Sequence, residues 1–101
     1  MEKTTSEDGW SPLLDLLAKV DHPKKMKKLL NLFLTIEEKE TLASRYLIVK
    51  ALLEGQLTQR EISDHYEVSI SQITRGSNAL KTTDGDIKKL IEKHNAKEKP
   101  K

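Results

Sequence analysis

Catalysis needs nucleophiles, bases or metal ligands that converge, and this sequence supplies few of them. It contains no cysteine, so there is no thiolate nucleophile, no thiolate metal site and no disulfide framework. Its three histidines, His22, His65 and His94, are far apart in sequence, and none has a carboxylate or second histidine at metal-ligand spacing. No glycine-rich phosphate loop or nucleophile elbow is present. The chain is therefore not expected to be an enzyme, nor to carry a metal or other cofactor. What it offers instead is hydrogen-bonding capacity concentrated in residues 58–81. Thr58 is followed three residues on by Glu61, and Ser69 by Gln72. Each pair matches a capping box, in which hydroxyl and carboxylate or amide satisfy free N–H groups at a helix start. The stretch then closes on a polar run, Thr74-Arg75-Gly76-Ser77-Asn78.

Those groups must be carried by elements, and the spacing predicts two short helices joined by a tight turn. Ile62 and Tyr66 share one face of the first, and Ile73 and Leu80 lie two turns apart on the second. Helices this short bury little alone and must pack on each other and on something larger. In a helix-turn-helix, Gln59 opens the motif, Ser63 is the small residue where the helices touch, and Val68 and Ile73 fill the core. Glu67 departs from the pattern. That turn position is left-handed and usually glycine, and a β-carbon there costs about 1–2 kcal/mol, so a looser or differently shaped turn is expected. An ordinary helical hairpin in a small bundle is the competing reading.

Composition sets the frame around this stretch. Few aromatics and many leucines, lysines and glutamates predict an all-α chain. At 101 residues and 36% apolar content it is one domain whose own core would be marginal, a deficit that dimerisation would remove. The formal charge of +2 is a weak footprint for nucleic acid. Within residues 58–81, Arg60, Arg75 and Lys81 are matched by Glu61, Asp64 and Glu67, so DNA binding would rest on a few placed contacts and a dimeric footprint. Acidic residues near the N-terminus and the lack of a long apolar run predict a cytoplasmic protein without a membrane segment.

Along the chain, residues 1–9 are expected to be a flexible arm and 10–94 a single helical domain. Ser11-Pro12 suggests an N-cap and first-turn proline, although a helix beginning near Ser6 and adjusting at Pro12 fits as well. Leu13, Leu14, Leu16, Leu17 and Val20 form its apolar face, with Trp10 as a packing anchor. Asp21-His22-Pro23 opens a second helix bearing Met26, Leu29, Leu30 and Phe33. Its lysines, Lys24, Lys25, Lys27 and Lys28, suit either DNA phosphates or, preferably, a solvated face. Thr35 and Glu38 form a third box before a long scaffold helix through Leu42, Tyr46, Val49, Leu52 and Leu53, ended by Gly55. Arg45 within it reads as a surface arginine with its stem lying down. Thr83 or Asp84 caps a last helix containing Ile87, Leu90 and Ile91, and residues 95–101 are expected to be a flexible tail.

Taken together, Leu29-Leu30-Asn31-Leu32-Phe33-Leu34-Thr35, Ala43-Ser44-Arg45, Leu52-Leu53-Glu54-Gly55, Gln59-Arg60-Glu61 and Ile73-Thr74-Arg75-Gly76-Ser77-Asn78 resemble the bacterial tryptophan repressor family, in its chlamydial form, from about Trp10 to His94. The resemblance implies an intertwined, all-helical homodimer that binds L-tryptophan as corepressor and then double-stranded palindromic operator DNA. Arg45 and Arg75 would sandwich the indole, with Arg75 also meeting the carboxylate. The carbonyls of Leu32 and Leu34 would receive the ammonium, and Thr35 and Gly76 would complete the pocket. A guanidinium both stacks on an aromatic face and grips a carboxylate, so the roles suit the residue types. Ala79 stands where the family has serine, a lost hydroxyl worth roughly 0.5–1.5 kcal/mol, and another indole is the alternative ligand.

For DNA, the resemblance implies Gln59, Arg60, Ile70, Ser71, Gln72, Thr74 and Lys81, with Arg60 suited to guanine and Gln72 to adenine. Ser63 replaces a basic residue and Gln72 a threonine of the family pattern, which implies a different operator preference. Two other functions stay open. One is a Trp-repressor-like DNA-binding protein not gated by tryptophan, which Ala79 favours. The other is a helical protein-interaction module, which the neutral charge of residues 58–81 favours.

Overall fold

The computed structural model of the chain describes residues 7–98. Six helices and no strand occur among them: α1 (Glu7–Lys19), α2 (Pro23–Phe33), α3 (Ile36–Glu54), α4 (Gln59–Tyr66), α5 (Ile70–Lys81) and α6 (Gly85–Glu98). The chain divides into two compact units, Met1–Glu37 and Glu38–Lys101.

In the first unit, α1 starts at Glu7 and runs through Pro12, so Ser11-Pro12 is not its beginning. A proline this close to the N-terminus forfeits a single i to i−4 bond, here to the carbonyl of residue 8. Val20 closes the helix by donating its N–H to the Leu17 carbonyl at 3.2 Å. The N-cap of α2 is His22, whose Nδ1 accepts from the Lys24 N–H at 3.3 Å, and Pro23 follows in the first turn. At the other end, Leu34 adopts an extended conformation and its N–H donates to the Leu30 carbonyl at 2.9 Å. No residue of α2 is fully buried, Leu32 is 75% exposed, and all four lysines face solvent. An open apolar hollow of about 360 Å³ is lined by Val20, Lys25, Lys28, Leu29 and Leu32.

The second unit holds the core: Ile48 and Ala51 of α3, Ile62 of α4, Val68 of the turn and Ile73 of α5, with Leu52 and Tyr66 packed against it. Gly55, at φ 69°, terminates α3 and donates its N–H to Ala51, a left-handed stop that glycine adopts without a β-carbon clash. After α5, the Thr82 and Thr83 hydroxyls both donate to the Ala79 carbonyl, at 3.2 and 2.7 Å. Thr82 is the C-cap of α5, with Thr83 adding a second hydroxyl to the same carbonyl, and the Asp84 carbonyl receives the opening bonds of α6 from Ile87 and Lys88.

The last helix extends past the boundary drawn from the sequence. It continues through Glu98, and Asn95 is only 3% exposed, its Oδ1 accepting from the Tyr46 hydroxyl at 3.0 Å. Lysine-rich composition concealed this contact, which joins α6 to α3. Of the expected arm and tail, residues 1–6 and 99–101 lie outside the described residues.

Candidate nucleic-acid interface

Both predicted boxes at the starts of α4 and α5 form. Thr58 N–H donates to Glu61 Oε1 at 2.8 Å while Glu61 N–H donates to Thr58 Oγ1 at 3.1 Å. Ser69 N–H likewise donates to Gln72 Oε1 at 2.8 Å, and Gln72 N–H to Ser69 Oγ at 3.1 Å. Each reciprocal cap stabilises its helix start by about 1 kcal/mol. Ile62 and Ile73, both fully buried, then pin α4 and α5 to each other and to α3.

The turn is not loosened by Glu67. It takes the left-handed conformation usual for glycine, at φ 57° and ψ 46°, so the β-carbon is tolerated at its cost. Two bonds cross this turn: Val68 N–H donates to the Ser63 carbonyl at 3.2 Å, and the Ser63 hydroxyl donates to the Val68 carbonyl at 2.6 Å. From the sequence, Ser63 is a small residue at the helix contact that stands where the family has a basic one, and this hydroxyl bond is a further role. A hydroxyl four residues before a left-handed non-glycine position was the signal for this second role.

Six of the seven DNA candidates, Gln59, Arg60, Ile70, Ser71, Thr74 and Lys81, are exposed on α4 and α5, and Gln72 is half-buried. Gln59 and Arg60 fall in the first turn of α4, Ile70, Ser71 and Gln72 in that of α5. Helix N-termini present partial positive charge and free N–H groups, which suit phosphate. Ile70, half-exposed at the head of α5, offers an apolar surface of the kind a thymine methyl meets. The adenine role expected of Gln72 meets a competing use of the same atom. Its Oε1 accepts from both the Ser69 N–H and the Ser69 hydroxyl, whereas bidentate adenine recognition needs amide oxygen and nitrogen together.

The small-molecule candidates divide between the two units. Leu32, Leu34 and Thr35 belong to the first, and Arg45, Arg75, Gly76 and Ala79 to the second. Leu32 sits in the last turn of α2 and Leu34 caps it, where helix carbonyls lack intrahelical donors and carry partial negative charge. In the second unit Gly76 is buried, and a β-carbon built on it would stand 2.9 Å from Ile48 Cγ2. Glycine at this position therefore lets α5 approach α3. Arg75 directly precedes that contact, and Arg45 lies one turn before Ile48 on α3. Arg45 is half-buried while Arg75 and Ala79 are exposed.

Comparison with known proteins adds independent information. The model of the Trp repressor protein family matches residues 8–95. A Trp operon repressor homolog of Chlamydia trachomatis serovar L2 is 50% identical over 91 residues, which cover 90% of this chain and 97% of that protein. One from Chlamydia caviae is 50% identical over 97 residues, 96% of each chain. The Vibrio cholerae serotype O1 homolog is 40% identical over 91 residues, 90% of this chain and 88% of its own.

Proposed function

The chain belongs to the Trp repressor family of transcription regulators, and from that premise we propose that it is a tryptophan-dependent repressor acting as a cytoplasmic homodimer. It binds L-tryptophan as corepressor and then a palindromic operator through α4 and α5. The observation that carries the gating is the close approach of α5 to α3 at Gly76, with Arg75 beside it and Arg45 one turn away. A ligand held by these two arginines touches the scaffold and the back of the reading helix at once. Its indole stacks on the guanidinium planes and its carboxylate pairs with Arg75. The Leu32 and Leu34 carbonyls at the end of α2 suit the ammonium, and Thr35 and the Gly76 backbone complete the polar end. Ala79 supplies no hydroxyl there, which weakens the grip.

Ligand and operator then favour one another reciprocally, typically by about 1–3 kcal/mol. In the operator complex Arg60 meets a guanine edge, Lys81 a phosphate, and Gln59, Ser71 and Thr74 bases or phosphates. The two readers of the dimer sit in successive major grooves roughly 34 Å apart, as in helix-turn-helix dimers generally, Trp repressor among them. Calorimetric titration with L-tryptophan, indole and L-phenylalanine tests the gate. One tryptophan per chain, bound more tightly than the other two, is expected, and Arg75→Ala should remove it. Absence of heat with all three would leave a family member that binds DNA without a tryptophan gate, the reading that Ala79 favours.

A further inference from the structure

The peptide unit between Val68 and Ser69 is the last link before the reading helix, and it is gripped on both edges. Its carbonyl accepts from the Ser63 hydroxyl of α4 at 2.6 Å, and its N–H donates to Gln72 Oε1 of α5 at 2.8 Å. One side chain thus reaches it from each helix of the motif. Immediately before it stands Glu67, a residue with a β-carbon held at φ 57°. Left-handed backbone at such a residue persists where the surroundings over-determine it, and the paired bonds between Ser63 and Val68 are the contacts that span the position.

We infer that Ser63 is a positioning residue for operator recognition: its hydroxyl holds the Val68–Ser69 peptide while Glu67 keeps the left-handed turn, and so sets the angle of α5 against α4. Gln72 is the matching hold on the α5 side. The inference rests on the proposed function, because it assigns Ser63 an effect on DNA reading without contact to DNA. It also accounts for two departures as a pair: a serine where a basic residue is expected and a glutamate where glycine is expected. The hydroxyl offsets the strain that the glutamate introduces.

The test uses the full chain and a duplex selected from a random-sequence pool by the unaltered protein with L-tryptophan present. Ser63→Ala is expected to weaken binding of that duplex about tenfold, the loss of one hydrogen bond at each of two readers, and to change binding of a scrambled duplex less than about twofold, because non-specific binding depends on phosphates and not on the reading angle. Ser63→Thr keeps the hydroxyl and should retain affinity. In the Ser63→Ala background, Glu67→Gly should restore binding by making the left-handed turn easy, whereas Glu67→Gln, which removes the same charge but keeps the β-carbon, should not. Equal affinity of Ser63→Ala and the unaltered protein would overturn the inference. So would a loss that Glu67→Gly fails to repair, since Ser63 would then act through DNA contact. Failure of the unaltered protein to select any duplex would instead overturn the proposed function.

Discussion

Glycine at position 76 and its absence at position 67 are two residue-scale departures with opposite signs. Gly76 lies within α5, where glycine is about 1 kcal/mol worse than alanine, and it is kept because Ile48 occupies the space a β-carbon needs. Gly76→Ala should therefore destabilise the protein by about 1–3 kcal/mol through overpacking, read as a lower midpoint of urea unfolding. Combining it with Ile48→Ala, which removes the Cγ2 methyl at the clash, should cost less than the two single changes added together. Glu67→Gly in the otherwise unaltered chain should do the reverse. Relief of the left-handed strain should raise stability by up to about 1 kcal/mol, provided the Ser63 bonds stay in place. An unchanged or lower unfolding midpoint would mean that Glu67 gains something from its surroundings that offsets its conformation.

At the scale of elements, the chain's local devices were legible and its distant contacts were not. The Thr58–Glu61 and Ser69–Gln72 boxes and the Gly55 stop are decided within three or four residues, and all three occur as the spacing implies. The six helices follow from the same local rules. By contrast, the contact of Gly76 with Ile48 joins segments far apart in sequence, and nothing near Gly76 announces it. Asn95 was hidden for the same reason: lysine-rich neighbours suggested a loose tail, whereas its partner, Tyr46, lies on α3. That bond leaves Asn95 Nδ2 buried without a partner among the described residues, an arrangement costing about 1–3 kcal/mol. Replacing both residues by apolar groups, Tyr46→Phe with Asn95→Leu, should consequently be neutral or stabilising in thermal unfolding. Tyr46→Phe alone, which strands both polar atoms of Asn95, should lower the melting temperature. If the double variant melts below the single one, the pair is held by more than the bond seen here.

For the whole molecule, exposed apolar surface and sparse charge together decide how it must bind DNA. Among the described residues the buried apolar core is five side chains, while Leu42, Ile87 and Leu90 of the second unit and Leu14, Leu16 and Leu32 of the first remain open to solvent. Apolar exposure of this extent marks surface that association covers, and sedimentation should find a species of twice the 11.5 kDa chain. A dimer also doubles a small set of cationic contacts. With Arg60 at a guanine edge and Lys81 as the basic phosphate contact of each reader, about two phosphates are neutralised, and log K should fall against log salt with a slope near −2. The α2 lysines offer the contrasting outcome. Lys24, Lys25, Lys27 and Lys28 are all exposed, and if they also met DNA a dimer would engage about ten phosphates, for a slope near −9. The solvated-face reading predicts the shallow slope, and it predicts that changing all four to glutamine leaves the slope within about one unit. A reduction of several units in that variant would move α2 into the DNA interface and make recognition by this family member far more electrostatic than its reading helices suggest.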